Sequence, residues 1–303
     1  MTAKEIYESI LSTVTVSCDR DDILIERYGK TYKELLPILE KFDYANTILA
    51  EPLLSSMSVG ERKVFDSTLI KIVPIASINA FSKKADNGEY LVALNERLLA
   101  LIHSYHEIQF ISVQEITDGA DVKGFAKYYA PLIDCYLTPN SNKTLPIYPK
   151  EKISLESSLM ITILTIANEQ FILAHELAHI YLNHFDSNSE SENFSIKNFL
   201  YGANTTGQEK EFAADIQAVK WLQIMVNKKN NQINLAMYIE IFVLFHLIEC
   251  NLGFPGKQAS HPSALNRLKN IRNNCTECFK AQDIEFIDEM IKNCNDFDSF
   301  KIN

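Results

Sequence analysis

Positive charge is in short supply in this chain. It has 29 Lys and Arg against 39 Asp and Glu, a formal net charge of −10. An acidic surface argues against nonspecific nucleic-acid binding, which needs clustered Lys and Arg on phosphates. An apolar signal core is missing too, since Met1 to Glu8 is polar. The expectation is a cytoplasmic protein with reduced thiols. No convincing bilayer span is present. The most apolar late stretch, Leu235 to Phe254, carries Glu240, His246 and Glu249, whereas a span needs about 20 residues with few or no charges. It reads as a buried core helix. Internal repeats and low-complexity segments are absent.

A second cysteine pair is also lacking. Cys275 and Cys278 form a C-x-x-C pair, Cys294 follows, and Cys18, Cys135 and Cys250 are scattered. A structural zinc site usually takes four ligands, and no second C-x-x-C or nearby histidine pair completes one. Half-buried thiols are the expectation for Cys275, Cys278 and Cys294.

What is present is a chain of 303 residues with 47% hydrophobic content, enough for one large domain or one with a smaller partner. Residues 1–73 read as a helical N-terminal region without assignable chemistry. Tyr32 to Phe42 has apolar residues at helical spacing. Ser58-Val-Gly-Glu61 is a capping-box signature ahead of an expected helix, Val64 to Val73. From residue 74 the pattern shifts. Ile75 to Phe81 and Glu89 to Ala93 flank an Asp86-Asn87-Gly88 turn and predict a β-hairpin or two neighbouring strands. Asn95 is placed to cap a helix over Glu96 to His106. Phe110 to Gln114 and Tyr128 to Leu137 are weaker strand candidates. Pro139 to Lys150 reads as a connection. Ile153 to His184 predicts a long helix, interrupted near Asn168. Asp186 to Gly207 reads as a polar loop or flap, Gln208 to Val226 as a helix, Lys228 to Gln232 as a turn and Gly253 to Gly256 as a loop. Ser263 to Asn273 and Ile284 to Cys294 predict terminal helices.

The most informative residues are 175–179, His-Glu-Leu-Ala-His, within a Gly- and Pro-free apolar stretch. Residues four apart on a helix share a face, so His175 and His179 can hold one metal ion with Glu176 beside them. A catalytic zinc normally has three protein ligands and an open position. A third histidine six residues past His179 is excluded, because positions 182 and 185 are Leu and Phe. On a continuing helix His184 would face away. The next helix offers Glu211 and Asp215, four apart, with small Ala213 and Ala214 between them; Glu209 is the competing acid, without an Asp four residues later.

This Glu-x-x-x-Asp arrangement resembles that of gluzincins, the thermolysin-like zinc peptidases. The resemblance makes Glu211 the third ligand and Asp215 the acceptor that orients a ligand histidine. His175 to His179, Glu211-Phe-Ala-Ala-Asp215 and His261-Pro-Ser-Ala-Leu-Asn-Arg267 follow the order of the HtpX and CAAX-prenyl-protease family. Ile78 to Phe81 and Tyr90 to Asn95 look like its first strands. The resemblance covers about residues 75 to 270. Members of that family are usually membrane-embedded, so soluble types fit better: Lit-like phage-exclusion peptidases and the ImmA/IrrE type.

The resemblance implies an α+β, mainly helical zincin-like domain over 74–303, with a small β-sheet whose edge strand borders the active-site helix. It implies one Zn²⁺, a protein or peptide substrate, and zinc-assisted peptide hydrolysis in a bacterial regulatory or phage-defence role. Glu176 is then the general base, with His261 and Arg267 as candidate oxyanion donors or supports near the start of a late helix that Pro262 would begin. The Tyr90 to Leu94 strand, or its partner Ile78 to Phe81, is expected at the rim of the cleft, where substrate can pair as an added strand. Two other readings remain. One is a zinc-containing binding module with latent or lost activity. The other is a defence protein that works only when an activating peptide or protein reorders the Asp186 to Gly207 loop. His103, His106, His184 and His246 are taken as structural or surface residues.

Overall fold

A computed structural model of the chain describes residues 1–13, 42–74, 78–118, 126–137, 153–185, 194–195, 205–229, 233–252 and 262–299. Most of the fold is helix around a small sheet. Strands β1 (Thr68–Val73), β2 (Asn79–Lys84) and β3 (Tyr90–Asn95) lie in the order β1-β3-β2, and the two-residue β4 (Phe194–Ser195) joins the outer side of β2. β1 runs parallel to β3, with Thr68 opposite Tyr90 and Val73 opposite Asn95. β2 is antiparallel to β3, with Ala80 opposite Leu94 and Lys84 opposite Tyr90. The hairpin between them turns at Gly88, whose φ of 86° suits glycine. Ala85 N donates to Glu89 O at 2.8 Å to close it.

The sheet is apolar on both faces, so β3 reads as a continuous buried run. Leu91, Ala93 and Phe81 point to one side, where α1 (Ala3–Thr13) covers them with Ala3 and Ile6. Val92, Leu94 and Ala80 point to the other side and join the main helical core. That core also takes Ala45, Leu49 and Leu53 from two short helical segments, Ala45–Ala50 and Glu51–Leu54.

The helices are α2 (Glu96–Thr117), α3 (Ala126–Leu137), α4 (Leu155–Tyr181), α5 (Thr205–Lys229), α6 (Ile241–Asn251), α7 (Ala264–Asn274) and α8 (Ala281–Ser299). The 27-residue α4 runs through the middle, about 40 Å long at 1.5 Å per residue. Ser154 caps it by accepting from Ser157 N at 3.1 Å. Among the described residues α4 is the one helix long and apolar enough to cross a membrane, and 61% of that apolar window is buried within the fold. Its apolarity has a use here: it packs on β2, α2 and α5.

Several expectations are corrected. Val64 to Val73 is not a helix; its second half is β1, rich in β-branched Thr68, Ile70, Ile72 and Val73, which suit a pleated sheet. The Ser58 capping box is present, but it starts the short helix Val59–Lys63. Phe110 to Gln114 is the end of α2, whose buried Leu98, Leu101, Ile102, Tyr105, Ile108 and Ile111 keep helical spacing throughout. Tyr128 to Leu137 lies in α3, where Tyr129, Leu132, Ile133 and Tyr136 are buried at the same period. Asn95 stands at the N-cap position of α2, but its side chain makes no capping bond. α4 does not break at Asn168: the buried amide donates to Met237 O at 2.7 Å and accepts from His106 Nε2 at 3.0 Å. The apolar stretch after Leu235 is a 3₁₀ segment, Leu235–Ile239, followed by α6. Tyr32 to Lys41, residues 75–77, Pro139 to Lys150, most of the 186–207 flap, residues 230–232 and the loop 253–256 lie outside the described residues.

Cys275, Cys278 and Cys294 are buried and form no disulfide among the described residues. Burial pushes the Cys275 thiol up to about 12 and raises Cys278 as well, so both are poor nucleophiles and poor thiolate ligands.

Candidate active site

Helix α4 sets His175 and His179 one turn apart, and α5 packs against it along a face of Glu211, Ala214, Asp215 and Ala218. That i, i+3, i+4, i+7 spacing is one helical stripe. The fully buried Ala214 and Ala218 let the two backbones approach. As a result Glu211 reaches both histidines. Its Oε2 lies 3.3 Å from His175 Nε2 and its Oε1 lies 3.3 Å from His179 Nε2. The two Nε2 atoms are 3.0 Å apart.

These residues fit a divalent ion. Their ligand atoms all lie within 4.8 Å of one another. With ligand distances of about 2.0–2.2 Å, donor atoms on one tetrahedral zinc lie about 3.3 Å apart, close to the separations of 3.0 to 3.3 Å found here. Two imidazoles and a carboxylate suit zinc chemically.

Behind this set lies a buried ionic pair. His175 Nδ1 is 3.0 Å from Asp215 Oδ1. Arg267 grips Asp215 in a bidentate fork, with Nε donating to Oδ2 at 2.8 Å and Nη2 to Oδ1 at 2.6 Å. Its Nη1 is 3.4 Å from Glu211 Oε2, and Phe242 lies under the guanidinium with its ring centroid 5.0 Å away. Burial alone would raise the Asp215 carboxyl; Arg267 and the His175 bond outweigh it and hold it low. For His175, burial and Arg267 pull the imidazole down, yet Glu211 and Asp215 together bring it up to about 9. Anionic oxygens gathered around two imidazoles favour positive charge at this point, whether a proton or a metal supplies it.

Arg267 sits on the buried stripe of α7 with Ala264, Leu268 and Ile271. Ser263, not Pro262, occupies the cap of α7, accepting from Asn266 N at 3.2 Å, and Pro262 precedes it. Glu249 on α6 accepts from Ala264 N at 2.8 Å and ties the helix start down. His261 lies outside the described residues.

Glu176 is buried and points toward the sheet, where Ser82 Oγ donates to its Oε2 at 2.9 Å. Ser82 is two residues past Ala80, on the same face of β2. A small cavity beside the site is lined by Phe171, Ile172, His175, Glu176, Phe245 and Arg267. β2 is the strand that borders α4, and β3 is central, flanked on both sides. Tyr90 to Leu94 therefore lies inside the sheet, and of the two segments expected at the rim it is Ile78 to Phe81, leading into β2, that lies nearer the border, with the two-residue β4 covering its outer side at Asn79 and Ala80.

Two contacts at the site escape the sequence. Ser82 meets Glu176 only through the pairing of β2 in the sheet, and no local pattern announces it. His184 does not ride on a continuing helix: α4 ends at Tyr181, Asn183 takes a left-handed φ of 52°, and His184 Nδ1 comes within 2.8 Å of His179 Nδ1. The asparagine just past the last helical turn was the readable signal, as Asn tolerates that conformation. Burial, followed by the charges of His179 and Lys210, lowers the His184 imidazole to about 4. The other histidines lie elsewhere. His106 bonds Gln109 and Asn168, His246 approaches the Cys294 carbonyl at 3.0 Å, and His103 sits 3.6 Å from Glu107.

A matching family model places this chain among the peptidases. The chain belongs to the Peptidase U49 family, matched over residues 104–290. That span holds His175, Glu176, His179, Glu211, Asp215 and Arg267. No curated protein and no solved structure matches the chain.

Proposed function

We propose that this peptidase is a zinc-dependent endopeptidase of gluzincin type acting on protein substrates. His175, His179 and Glu211 hold the metal, and Glu176 is the general base. The observation that carries the reading is the convergence of both His Nε2 atoms on the Glu211 carboxylate, with Glu176 next in the helix.

A zinc ion held there supplies Lewis acidity toward water and toward the scissile carbonyl. The chain's own residues do the rest. Ser82 holds Glu176 Oε2, leaving Oε1 to take the proton of the attacking water and pass it to the departing amine. Asp215 accepts the Nδ1 proton of His175, which keeps the Nε2 lone pair aimed at the Glu211 side. Arg267 is a positioning residue on this reading, since its fork holds Asp215 in place. His179, at 15% side-chain exposure, is the most accessible ligand, so substrate approaches from its side.

Extended peptide fits along β2. β4 pairs with β2 at Asn79 and Ala80 only, so among the described residues the stretch Phe81 to Lys84 carries no further strand on its outer side. Strand addition there would bring a peptide past Ser82 and Glu176 by main-chain hydrogen bonds.

The test is metal analysis of the wild-type protein, followed by proteome-wide cleavage mapping against Glu176→Gln. The variant should keep about one zinc per chain and lose hydrolysis by roughly 10²- to 10⁴-fold, the usual worth of a positioned general base. A wild type that binds no zinc would refute the proposal. Bound zinc with no Glu176-dependent cleavage would make the protein a zinc-containing binding module.

A further inference from the structure

We propose that His184 is a positioning residue for the metal centre: it accepts the Nδ1 proton of His179 and so does for that ligand what Asp215 does for His175. The inference rests on the zinc reading above and extends it to a residue outside the H-E-x-x-H and Glu-x-x-x-Asp patterns.

The geometry of the helix end supports it. After Tyr181 the chain turns through the left-handed Asn183, and His184 N donates back to His179 O at 3.0 Å. Lys210 Nζ, one residue before the ligand Glu211, donates to His184 O at 3.0 Å. The backbone of His184 is thus fixed at its N–H and at its carbonyl, by the two helices that carry the ligands. Its ring then meets the ring of His179, with centroids 5.0 Å apart at 67° and the two Nδ1 atoms 2.8 Å apart.

That distance is a hydrogen bond, and a bond between two imidazole nitrogens needs one N–H and one lone pair. The choice follows from the other side of His179. Its Nε2 faces His175 Nε2 at 3.0 Å and Glu211 Oε1 at 3.3 Å, where a metal requires a lone pair. The proton of His179 therefore lies on Nδ1, and His184 Nδ1 is the acceptor with its own proton on Nε2. Ligand histidines usually direct their second nitrogen to a carboxylate, carbonyl or water; here a neutral imidazole takes that place. With Asp215 matched by Arg267, a neutral acceptor adds no further anion to a site that already holds Glu176 and Glu211. His184 is not itself a ligand on this geometry, because it touches the face of His179 opposite the convergence point.

The experiment measures zinc affinity by competition with a chelator for wild type, His184→Phe and His184→Asn. Asparagine places an acceptor oxygen near the Nδ1 position; phenylalanine keeps bulk and removes the acceptor. Loss of such partners typically costs about 10- to 100-fold in metal affinity. The expected result is that loss in His184→Phe, substantial recovery in His184→Asn, and similar melting temperatures for all three metal-free proteins. Long-range ¹H–¹⁵N spectra of the zinc-loaded wild type give a check that needs no variant: His184 should be the Nε2–H tautomer and His179 should carry its proton on Nδ1. Wild-type affinity in His184→Phe, equal loss in both variants, or a protonated His184 Nδ1 would overturn the proposal. A wild type that binds no zinc overturns the zinc reading along with it, and so separates the two failures.

Discussion

At the scale of single residues the site depends on charges that cannot be removed one at a time. Asp215 is fully buried and Arg267 is 2% exposed. Breaking a buried pair by deleting one partner leaves an uncompensated charge and typically costs about 3–5 kcal/mol. Arg267→Met should lower stability in urea melts by about that amount and weaken zinc binding by about 10- to 100-fold. Adding Asp215→Asn to Arg267→Met should cost much less than the sum of the two single changes, because the second loss removes the orphan left by the first. Additive losses would show that the two side chains do not act as a unit.

At the scale of elements, each layer has an identifiable task. α4 brings three chemical side chains to one place, α5 supplies Glu211 as the third candidate ligand, and β2 presents Ser82 to Glu176. α1 serves a different purpose, closing the far face of the sheet. Ile6, at 4% exposure, packs there among Val73, Phe81, Leu91 and Ala93. Ile6→Ala should cost about 2–4 kcal/mol in a denaturant titration through the cavity it leaves. Its effect on zinc affinity should be negligible, as Ile6 lies across the sheet from the proposed ligands. A change in metal affinity as large as that of Arg267→Met would contradict this division of labour.

At the scale of the whole molecule, pH acts through a group remote from the proposed chemistry. Glu169 on α4 is 3% exposed, and burial pushes its carboxyl up to about 8 even though Tyr44 donates to it at 2.6 Å and pulls the other way. Below about 4.5 the carboxyl is protonated in both folded and unfolded chains, so it costs nothing. Between 4.5 and 8 the folded state keeps a proton that the unfolded chain has lost, and stability falls as pH rises; above 8 the loss is complete. Glu169→Gln keeps an acceptor for Tyr44 and removes the ionisation. Its stability relative to wild type should therefore improve by roughly 3–5 kcal/mol between pH 5 and pH 9. An unchanged difference between the two proteins across that range would show that Glu169 does not titrate as burial dictates.

The sequence by itself determined the elements with strong local signals. The α4 helix around His175 and His179, the α5 helix with Glu211 and Asp215 on one stripe, and the Gly88 hairpin all follow from spacing within a few residues, which is where helical and strand periods act. Tertiary structure decided what spacing cannot carry. β1 reads as part of the helix that the Ser58 capping box announces; that helix ends at Lys63, and pairing with β3 makes a strand of the β-branched run that follows. Ser82 became a partner of Glu176 because sheet register turned it toward α4. Arg267 became the clamp on Asp215 because α7 packs against α5, the helix that carries Asp215. His184 returned to His179 because the chain turns through the left-handed Asn183 and Lys210 donates to the His184 carbonyl. The candidate ligands His175, His179 and Glu211 are written along the chain; the groups that hold them in place arise from packing between segments distant in sequence.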